Sequence, residues 1–423
     1  MDQTKPRSLT LDGLTWPRAL SFISGLGMIA ASVLTIRHFF EANFPATIFT
    51  GSFCDISAFF NCDSSAFSSI SQVLGVPLGY FGLFMGALVV LGAVIPSPAF
   101  ERTNKSLSLL NVLGVVGLFL YSVLVLGSLC LFCTGYYAFS IMSFVLFWLY
   151  GLGRGERGLL ARWARPSFRL IVVFGVVALA GAYGFLLYHD AKKEVQVGQA
   201  ATIVRQYYEL PKVAWPSFFS PYWSVKSTER FEDAPIRIVE YADFLCSDCY
   251  YLSQQMDKLT KDFAGKINVV FQFFPLEGLC NKVVPEKANL HPGACEMTFL
   301  AAGNLARFPE MAEEIWANFR SARNPEWRRA FAKKYGTEGA PGDPQLRDLI
   351  ERIINTGAEY ERTSDKYLHG IRSTPTMIVN NRMIIGTLPY QHMRAIFQAL
   401  VDEREHGGRK FIENWMPPVR RKK

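Results

Sequence analysis

Histidine is scarce in this chain of 423 residues, with six copies, and none stands at ligand spacing from either C-x-x-C pair. A structural zinc centre needs four ligands converging in one small polar unit. The C-x-x-C pairs present here lack that company, which argues against metal. Basic residues outnumber acidic ones, for a formal net charge of +8, but they are not interleaved with aromatics and accompany no nucleic-acid-binding module. Nucleic acid is therefore excluded as a partner. Lys and Arg are almost missing from 39–73, and charge of either sign is sparse across several long stretches before residue 190.

Those stretches are what the chain does have. Half of all residues are hydrophobic, and five apolar runs stand out at 17–38, 74–95, 107–129, 132–151 and 169–188. Each is near the ~20 residues that cross a ~30 Å hydrocarbon core. The charge falls mostly after residue 190, so the chain reads as a membrane half followed by a water-soluble half. None of the runs, as bounded here, carries a carboxylate or a broken pair of helices, which counts against a transporter or a metal receptor. Lys5, Arg7 and Arg18 precede the first run, and Arg154, Arg157, Arg162, Arg165 and Arg169 separate the fourth from the fifth. Such basic flanks face the cytoplasm. Alternation then puts 39–73, the turn at 130–133 and everything after 188 outside. The first run, with its basic start and "MIAAS", has features of a cleaved signal peptide as well as of a span. Its length favours a span, and either reading leaves the later loops outside.

All eight cysteines fall on that oxidising side, as 54 and 62, 130 and 133, 246 and 249, 280 and 295. An even number in that setting reads as disulfides. Two pairs are C-x-x-C, a spacing whose small ring exchanges readily and whose thiol pKa falls when the pair opens a helix. Cys280 and Cys295 lack that spacing and read as a structural disulfide. With fourteen residues between them, the bridge contributes about 3 kcal/mol by restricting the unfolded chain.

Residues 236–250, "IRIVEYADFLCSDCY", alternate like a strand and then deliver Cys246 and Cys249 into a helical pattern. A strand presenting C-x-x-C at a helix N-terminus is the thioredoxin arrangement. The helix dipole and unpaired amides stabilise Cys246 as thiolate, and Cys249 resolves the mixed disulfide. "INVVFQFFP" at 267–275 is the next strand. "STPTMIVNNRMIIG" supplies Thr374-Pro375, a strand, a turn at Asn380-Asn381 and a second strand. Thioredoxin-like proteins carry a cis-Pro there, which turns the preceding backbone toward a bound peptide. Thr374 and Pro375 are accordingly candidate substrate-binding residues. Helical patterns fill the gap between Cys249 and Pro375, so this half resembles the DsbA-like branch with its helical insertion, about 278–360.

The first 150 residues resemble the vitamin K epoxide reductase family, whose bacterial members are often fused to a thioredoxin-like domain. The motifs are "CDISAFFNC" (Cys54, Cys62), "DSSAFSS" with Ser68, and "CLFCTGYYA" (Cys130, Cys133, Tyr137). The resemblance implies an all-α transmembrane four-helix bundle at 17–151 holding a quinone, ubiquinone or menaquinone. A basic cytoplasmic loop (152–168), a tethering fifth helix (169–188), a linker (189–230), an α/β thioredoxin-like domain (231–407) and a basic tail (408–423) complete the chain, after a cytoplasmic segment at 1–16. It also implies Cys133 next to the quinone and Cys130 exchanging with the loop pair through Cys62. Cys54 would receive electrons from Cys246–Cys249, with Ser68 and Tyr137 near the quinone head group. The asparagine that binds quinone in vitamin-K-acting animal members has no counterpart before "GVPLGYFG". A dithiol facing lipid independently calls for a lipid-soluble acceptor of two electrons and two protons, which a quinone is. The expectation is a multi-pass protein of the bacterial inner membrane with its thioredoxin-like domain in the periplasm, oxidising secreted proteins with reduced cysteines. A quinol-driven reductase or isomerase uses the same parts in reverse, and the sequence does not decide between the directions.

Overall fold

The computed structural model describes residues 16–45, 48, 62–68, 70–95, 97–126, 128–151, 165–284, 290–360 and 370–416. Cys54, most of the basic loop expected at 152–168 and the end of the basic tail lie outside the described residues. The chain divides into two compact units, Met1–Asn43 with Cys54–Lys193, and Phe44–Phe53 with Glu194–Lys423.

The first unit is helical: α1 (Trp16–Asn43), the short α2 (Cys62–Ala66), α3 (Leu78–Val94), α4 (Pro98–Tyr121), α5 (Leu131–Tyr150) and α6 (Phe168–Gly198, which continues past Lys193). Among the described residues four helical stretches are long and apolar enough to cross a membrane: Trp16–Asn43, Pro98–Leu126, Leu131–Tyr150 and Phe168–Val195. The second expected run, 74–95, is shorter as a helix. Its first residues close a hairpin between β1 (Gln72–Val73) and β2 (Val76–Pro77), with Leu74 and Gly75 both at positive φ. Only 17 residues remain for α3, about 25 Å of rise.

The third run is longer than expected. Ser97 caps α4, with Pro98 in the first turn, where its missing N–H is no loss. Glu101 and Lys105 thereby enter the helix and are buried, which corrects the expectation that no span holds a carboxylate. The Trp148 indole N–H donates to the Lys105 carbonyl at 3.3 Å, and the Lys105 ammonium lies 5.0 Å from the Trp148 ring centroid. After Tyr121 the helix widens into a π-turn, Ser122–Leu126, before the chain reverses.

Helices in an apolar solvent associate through close backbone approach and a few polar bonds. A Cβ on Gly25 would meet the Gly86 carbonyl oxygen at 3.0 Å, and one on Gly86 would meet that of Gly25 at 3.0 Å, so α1 and α3 touch backbone to backbone. The Ser24 hydroxyl donates to the Phe139 carbonyl at 2.6 Å, the Asn104 amide to Leu88 at 2.7 Å and the Tyr80 hydroxyl to Ala178 at 2.7 Å. These join α1 to α5, α4 to α3 and α3 to α6.

The second unit is built on a five-stranded sheet. Its elements are α7 (Ala200–Glu209), β3 (Trp223–Lys226), β4 (Ile236–Ala242), α8 (Ser247–Asp262), β5 (Ile267–Phe273), α9 (Ala294–Ala302), α10 (Phe308–Ala317), α11 (Phe319–Ala322), α12 (Pro325–Tyr335), α13 (Pro344–Asn355), β6 (Thr376–Val379), β7 (Arg382–Ile385), α14 (Tyr390–His406) and α15 (Arg409–Trp415). The strand order is β3-β5-β4-β6-β7, with β4 and β5 parallel and every other pair antiparallel. Alternation along β4 sends Val239 and Tyr241 into a core shared with α9–α13. Ile236 and Ile238 enter a second core with α7, α8 and α14. The β6–β7 turn places Asn380 and Asn381 at positive φ, a conformation that Asn tolerates.

Two expected boundaries change. Residues 189–230, expected as a linker, contain the end of α6, all of α7 and β3, and Ile203, Val204 and Tyr207 are fully buried. The expected tail from 408 begins as α15, whose Phe411 packs with Val204, Ala395 and Ala399.

Candidate functional sites

Cys246 is the N-cap residue of α8, in extended backbone (φ −80°, ψ 126°), and Cys249 lies in the first helical turn. Both are free and buried. The Cys246 Sγ lies 3.4 Å from the Thr374 carbonyl oxygen, and the Thr374–Pro375 peptide bond is cis. Thr374 and Pro375 thus stand beside the dithiol.

Sequence reading missed the charged groups around this pair. Asp243, at the end of β4, is buried, and its carboxylate accepts from the Leu245 amide at 2.7 Å and the Leu276 amide at 2.8 Å. It also accepts from the Nδ1–H of His291 at 2.6 Å. Burial opposes a charge on His291, but Asp243 outweighs it and holds the imidazole above its ordinary range. Burial likewise opposes a Cys246 thiolate. The Cys249 thiol and the positive field of His291 overcome it and bring Cys246 down to about 6. Cys249 is pushed well up, by burial and then by its bond and charge interaction with Cys246. The pair is thereby divided into a nucleophile or leaving group and a thiol that keeps its proton. Arg323 adds a second cation, half-buried, donating to the Leu245 carbonyl at 3.2 Å. Glu240, also on β4, is buried, and desolvation pushes its carboxyl up to about 7. His291 and Arg323 come from the helical insertion, 45 and 77 positions after Cys246 in sequence number. Only the fold brings them near.

Cys280 and Cys295 form a disulfide with Cα atoms 5.9 Å apart, as their spacing led one to expect.

In the first unit Cys130 is the N-cap of α5 (φ −81°, ψ 127°), and its Sγ accepts from the Cys133 amide at 3.4 Å. Cys130 and Cys133 are free. Cys62 is disulfide-bonded, fully buried, and packed in a small cluster with Cys130, Phe132 and Cys133. Its partner lies outside the described residues, so the expected role of Cys54 does too. These thiols border a cavity of about 360 Å³ that Ser65, Ser68, Asn111, Tyr136 and Tyr137 also line.

Ser68 and Tyr137, carried over by resemblance, both reach this cavity. The Ser68 hydroxyl, however, donates to the Ser65 carbonyl at 2.9 Å and so ties down a turn. Ser65, by contrast, has its Oγ 4.0 Å from Cys133 Sγ. Tyr137 packs edge-on to Phe119. Two residues missed from sequence form a polar chain on the wall: the Tyr136 hydroxyl donates to Asn111 Oδ1 at 2.7 Å, and the Asn111 amide donates to the Ser140 hydroxyl. Asn111 had no motif to mark it, because it lies on α4 in an otherwise apolar run. Among the described residues no group of three or more His, Cys, Asp or Glu is placed to hold a metal ion.

One dithiol heads a membrane-length helix at an apolar cavity, and another heads a helix on a mixed five-stranded sheet. Together they define a protein with membrane-length helices and two C-x-x-C pairs, each at a helix N-terminus. Residues 18–148 match the Vitamin K epoxide reductase family, and residues 231–399 match the Thioredoxin family. The chain therefore carries a vitamin K epoxide reductase family match followed by a thioredoxin family match. Solved structures similar to part of it include the thiol-disulfide exchange protein alpha-DsbA2 from Wolbachia pipientis, at 18% identity over 49% of this chain and 98% of that one, with a TM-score of 0.31. The oxidoreductase DsbA from Xylella fastidiosa is 14% identical over 44% of this chain and 92% of that one, with a TM-score of 0.29. A stretch of 154 residues is 26% identical to the Na(+)/H(+) antiporter NhaA 1 of Mycolicibacterium gilvum, covering 36% of this chain. The chain spans only 22% of the length of that curated relative.

Proposed function

We propose that the protein is a membrane thiol–disulfide oxidoreductase that makes disulfides in extracytoplasmic proteins and passes the electrons to a membrane quinone, ubiquinone or menaquinone. The observation that carries this reading is the position of Cys133 on the wall of an apolar cavity, with disulfide-bonded Cys62 packed against Cys130.

A substrate thiolate attacks the Cys246 sulfur of an oxidised Cys246–Cys249 pair, and Cys249 leaves and takes up a proton. A second substrate thiolate then attacks its partner sulfur. Cys246 departs as a thiolate, and its depressed pKa makes it a good leaving group. Stabilising the reduced dithiol makes the disulfide more oxidising, which favours the oxidase direction over the reverse. The Thr374 carbonyl, beside the Cys246 sulfur, is placed to pair with the backbone of a bound peptide. The electron pair next enters the Cys54–Cys62 disulfide and then passes through Cys62 to Cys130–Cys133. The cavity's composition fits a quinone: a largely apolar lining with a few hydroxyl and amide groups. A bound quinone supplies the capacity to take two electrons and two protons. Tyr136, Asn111 and Tyr137 would hold its head group, and Cys133 is the thiol that faces it. On this reading the basic flanks face the cytoplasm, and both dithiols work on the extracytoplasmic side of the bacterial inner membrane.

The test uses the full chain in detergent, a reduced substrate peptide and added quinone, followed by quinone absorbance. Wild-type protein reduces the quinone. Cys133→Ala abolishes this and leaves exchange at Cys246 intact. No quinone reduction by the wild type overturns the reading.

A further inference from the structure

The two residues between Cys246 and Cys249 are Ser247 and Asp248. Neither can carry positive charge, and Asp248 brings a negative one. Any positive charge that stabilises a thiolate at Cys246, beyond the α8 N-terminus, must come from another segment. The groups acting on Cys246 are Cys249 from its own helix, Asp243 from the end of β4, the Thr374 carbonyl before β6, and the cations His291 and Arg323 from the insertion.

His291 has no helix or strand of its own to fix it. It lies in the segment that precedes α9, between the two cysteines of the Cys280–Cys295 bridge. That segment is tied at close intervals. The His291 amide donates to the Leu276 carbonyl at 3.1 Å. The buried Glu277 carboxylate accepts from the Gly293 amide at 3.0 Å and the Cys295 amide at 2.7 Å. The disulfide is the covalent tie, four residues beyond the histidine.

We propose that the Cys280–Cys295 bridge is a positioning device for the exchanging dithiol. It holds His291 against Asp243 beside Cys246, so that the imidazolium supplies the positive charge that Ser247-Asp248 lacks. His291 is a positioning residue rather than a catalytic one, since it acts on the thiol through its field. The proposal rests on the reading of Cys246–Cys249 as the exchanging pair, but not on where the electrons go afterwards.

The test uses the full chain in detergent, in a Cys249→Ala background that leaves Cys246 a free thiol without added reductant. Alkylation of Cys246 by iodoacetamide is followed against pH by peptide mass spectrometry, with the bridge verified by mass. His291→Gln raises the alkylation midpoint by about one pH unit, a tenfold fall in thiolate fraction below the midpoint. Cys280→Ala/Cys295→Ala raises it in the same direction by at least about half as much, and the triple variant goes no further than His291→Gln alone. An unmoved midpoint in His291→Gln, an unmoved midpoint in the bridge-less chain, or additive shifts overturn the proposal. Should the bridge-less chain lose hydrogen-exchange protection in β4, Glu277→Gln carries the same expectation with both bridge cysteines in place. Failure of quinone reduction leaves these midpoints untouched, so the two readings fail separately.

Discussion

Glu240 offers a prediction whose size follows from its surroundings. It lies within β4, hydrogen-bonded on both sides to β5 and β6, and is buried, so its carboxyl is pushed up from 4.5 to about 7. The unfolded chain releases this proton near the ordinary carboxyl value, whereas the folded chain keeps it to near neutrality. Between those two values the folded state binds more protons, so stability falls as pH rises. The shift amounts to a loss of about 2.5 kcal/mol between about pH 5 and about pH 8. Glu240→Gln keeps the shape and removes the titration. Relative to wild type it should gain about 2.5 kcal/mol more at the upper pH than at the lower one. With a urea m-value of about 2 kcal/mol/M, the midpoint difference between variant and wild type should widen by about 1 M. Pulse proteolysis of the full chain in detergent, across urea at both pH values, reads this for the thioredoxin-like unit. A variant-minus-wild-type difference that is the same at both pH values refutes the reasoning. A carboxyl that lowers stability at neutral pH is retained on the strand that delivers the dithiol, where perturbed groups tend to serve chemistry.

Two further outcomes follow from single bonds. Tyr136→Phe removes the hydroxyl that donates to Asn111 Oδ1. It should weaken quinone binding about tenfold, the effect of roughly 1.4 kcal/mol of lost polar pairing, as measured by quinone titration with exchange at Cys246 unchanged. Asn380→Ala removes two bonds, one accepted from the Arg237 amide at 2.8 Å and one donated to the Pro235 carbonyl at 2.8 Å, and strains a positive φ. It should destabilise the thioredoxin-like unit by about 2–3 kcal/mol in urea unfolding, with Asn380→Gly recovering the part due to backbone strain.

What could be read from the chain beforehand was whatever a short window determines. "IRIVEYADFLCSDCY" carries period-two alternation, a two-residue cysteine spacing and a helical pattern, and these became β4, the N-cap and α8. "TPTMIVNNRMIIG" became β6, a turn at positive φ and β7. Elements held by distant packing were not legible. The helix α7 reads as a polar connector until its Ile203, Val204 and Tyr207 are seen to meet α14 and the sheet. The edge strand β3 is four residues long and pairs with β5 across an irregular register. The same limit applies to the sites. Four cysteines were marked by their C-x-x-C spacing, but Asp243 meets His291 across 48 residues and Tyr136 meets Asn111 across 25. No periodicity reports a pairing of that kind.

The two C-x-x-C motifs share one local device in unrelated surroundings. Cys246 and Cys130 both cap a helix, with φ/ψ of −80°/126° and −81°/127°. A capping residue and the residue three positions on lie over the same opening turn, which is why two intervening residues, and not one or three, bring the sulfurs together. The unpaired amides of that turn present positive field to whichever sulfur is ionised. Environment then assigns the roles. In the thioredoxin-like unit the first sulfur faces a backbone carbonyl and the charge of His291, which on the proposed function makes it the outward exchanging member. In the membrane unit the first sulfur is turned to the Cys133 amide and packed against Cys62. The second sulfur is the one beside Ser65 at the cavity wall. On the proposed function the same cap thus serves opposite tasks. One would present its leading cysteine to thiols of another protein. The other would spend its leading cysteine on exchange with Cys62 and keep its trailing cysteine for the apolar cavity.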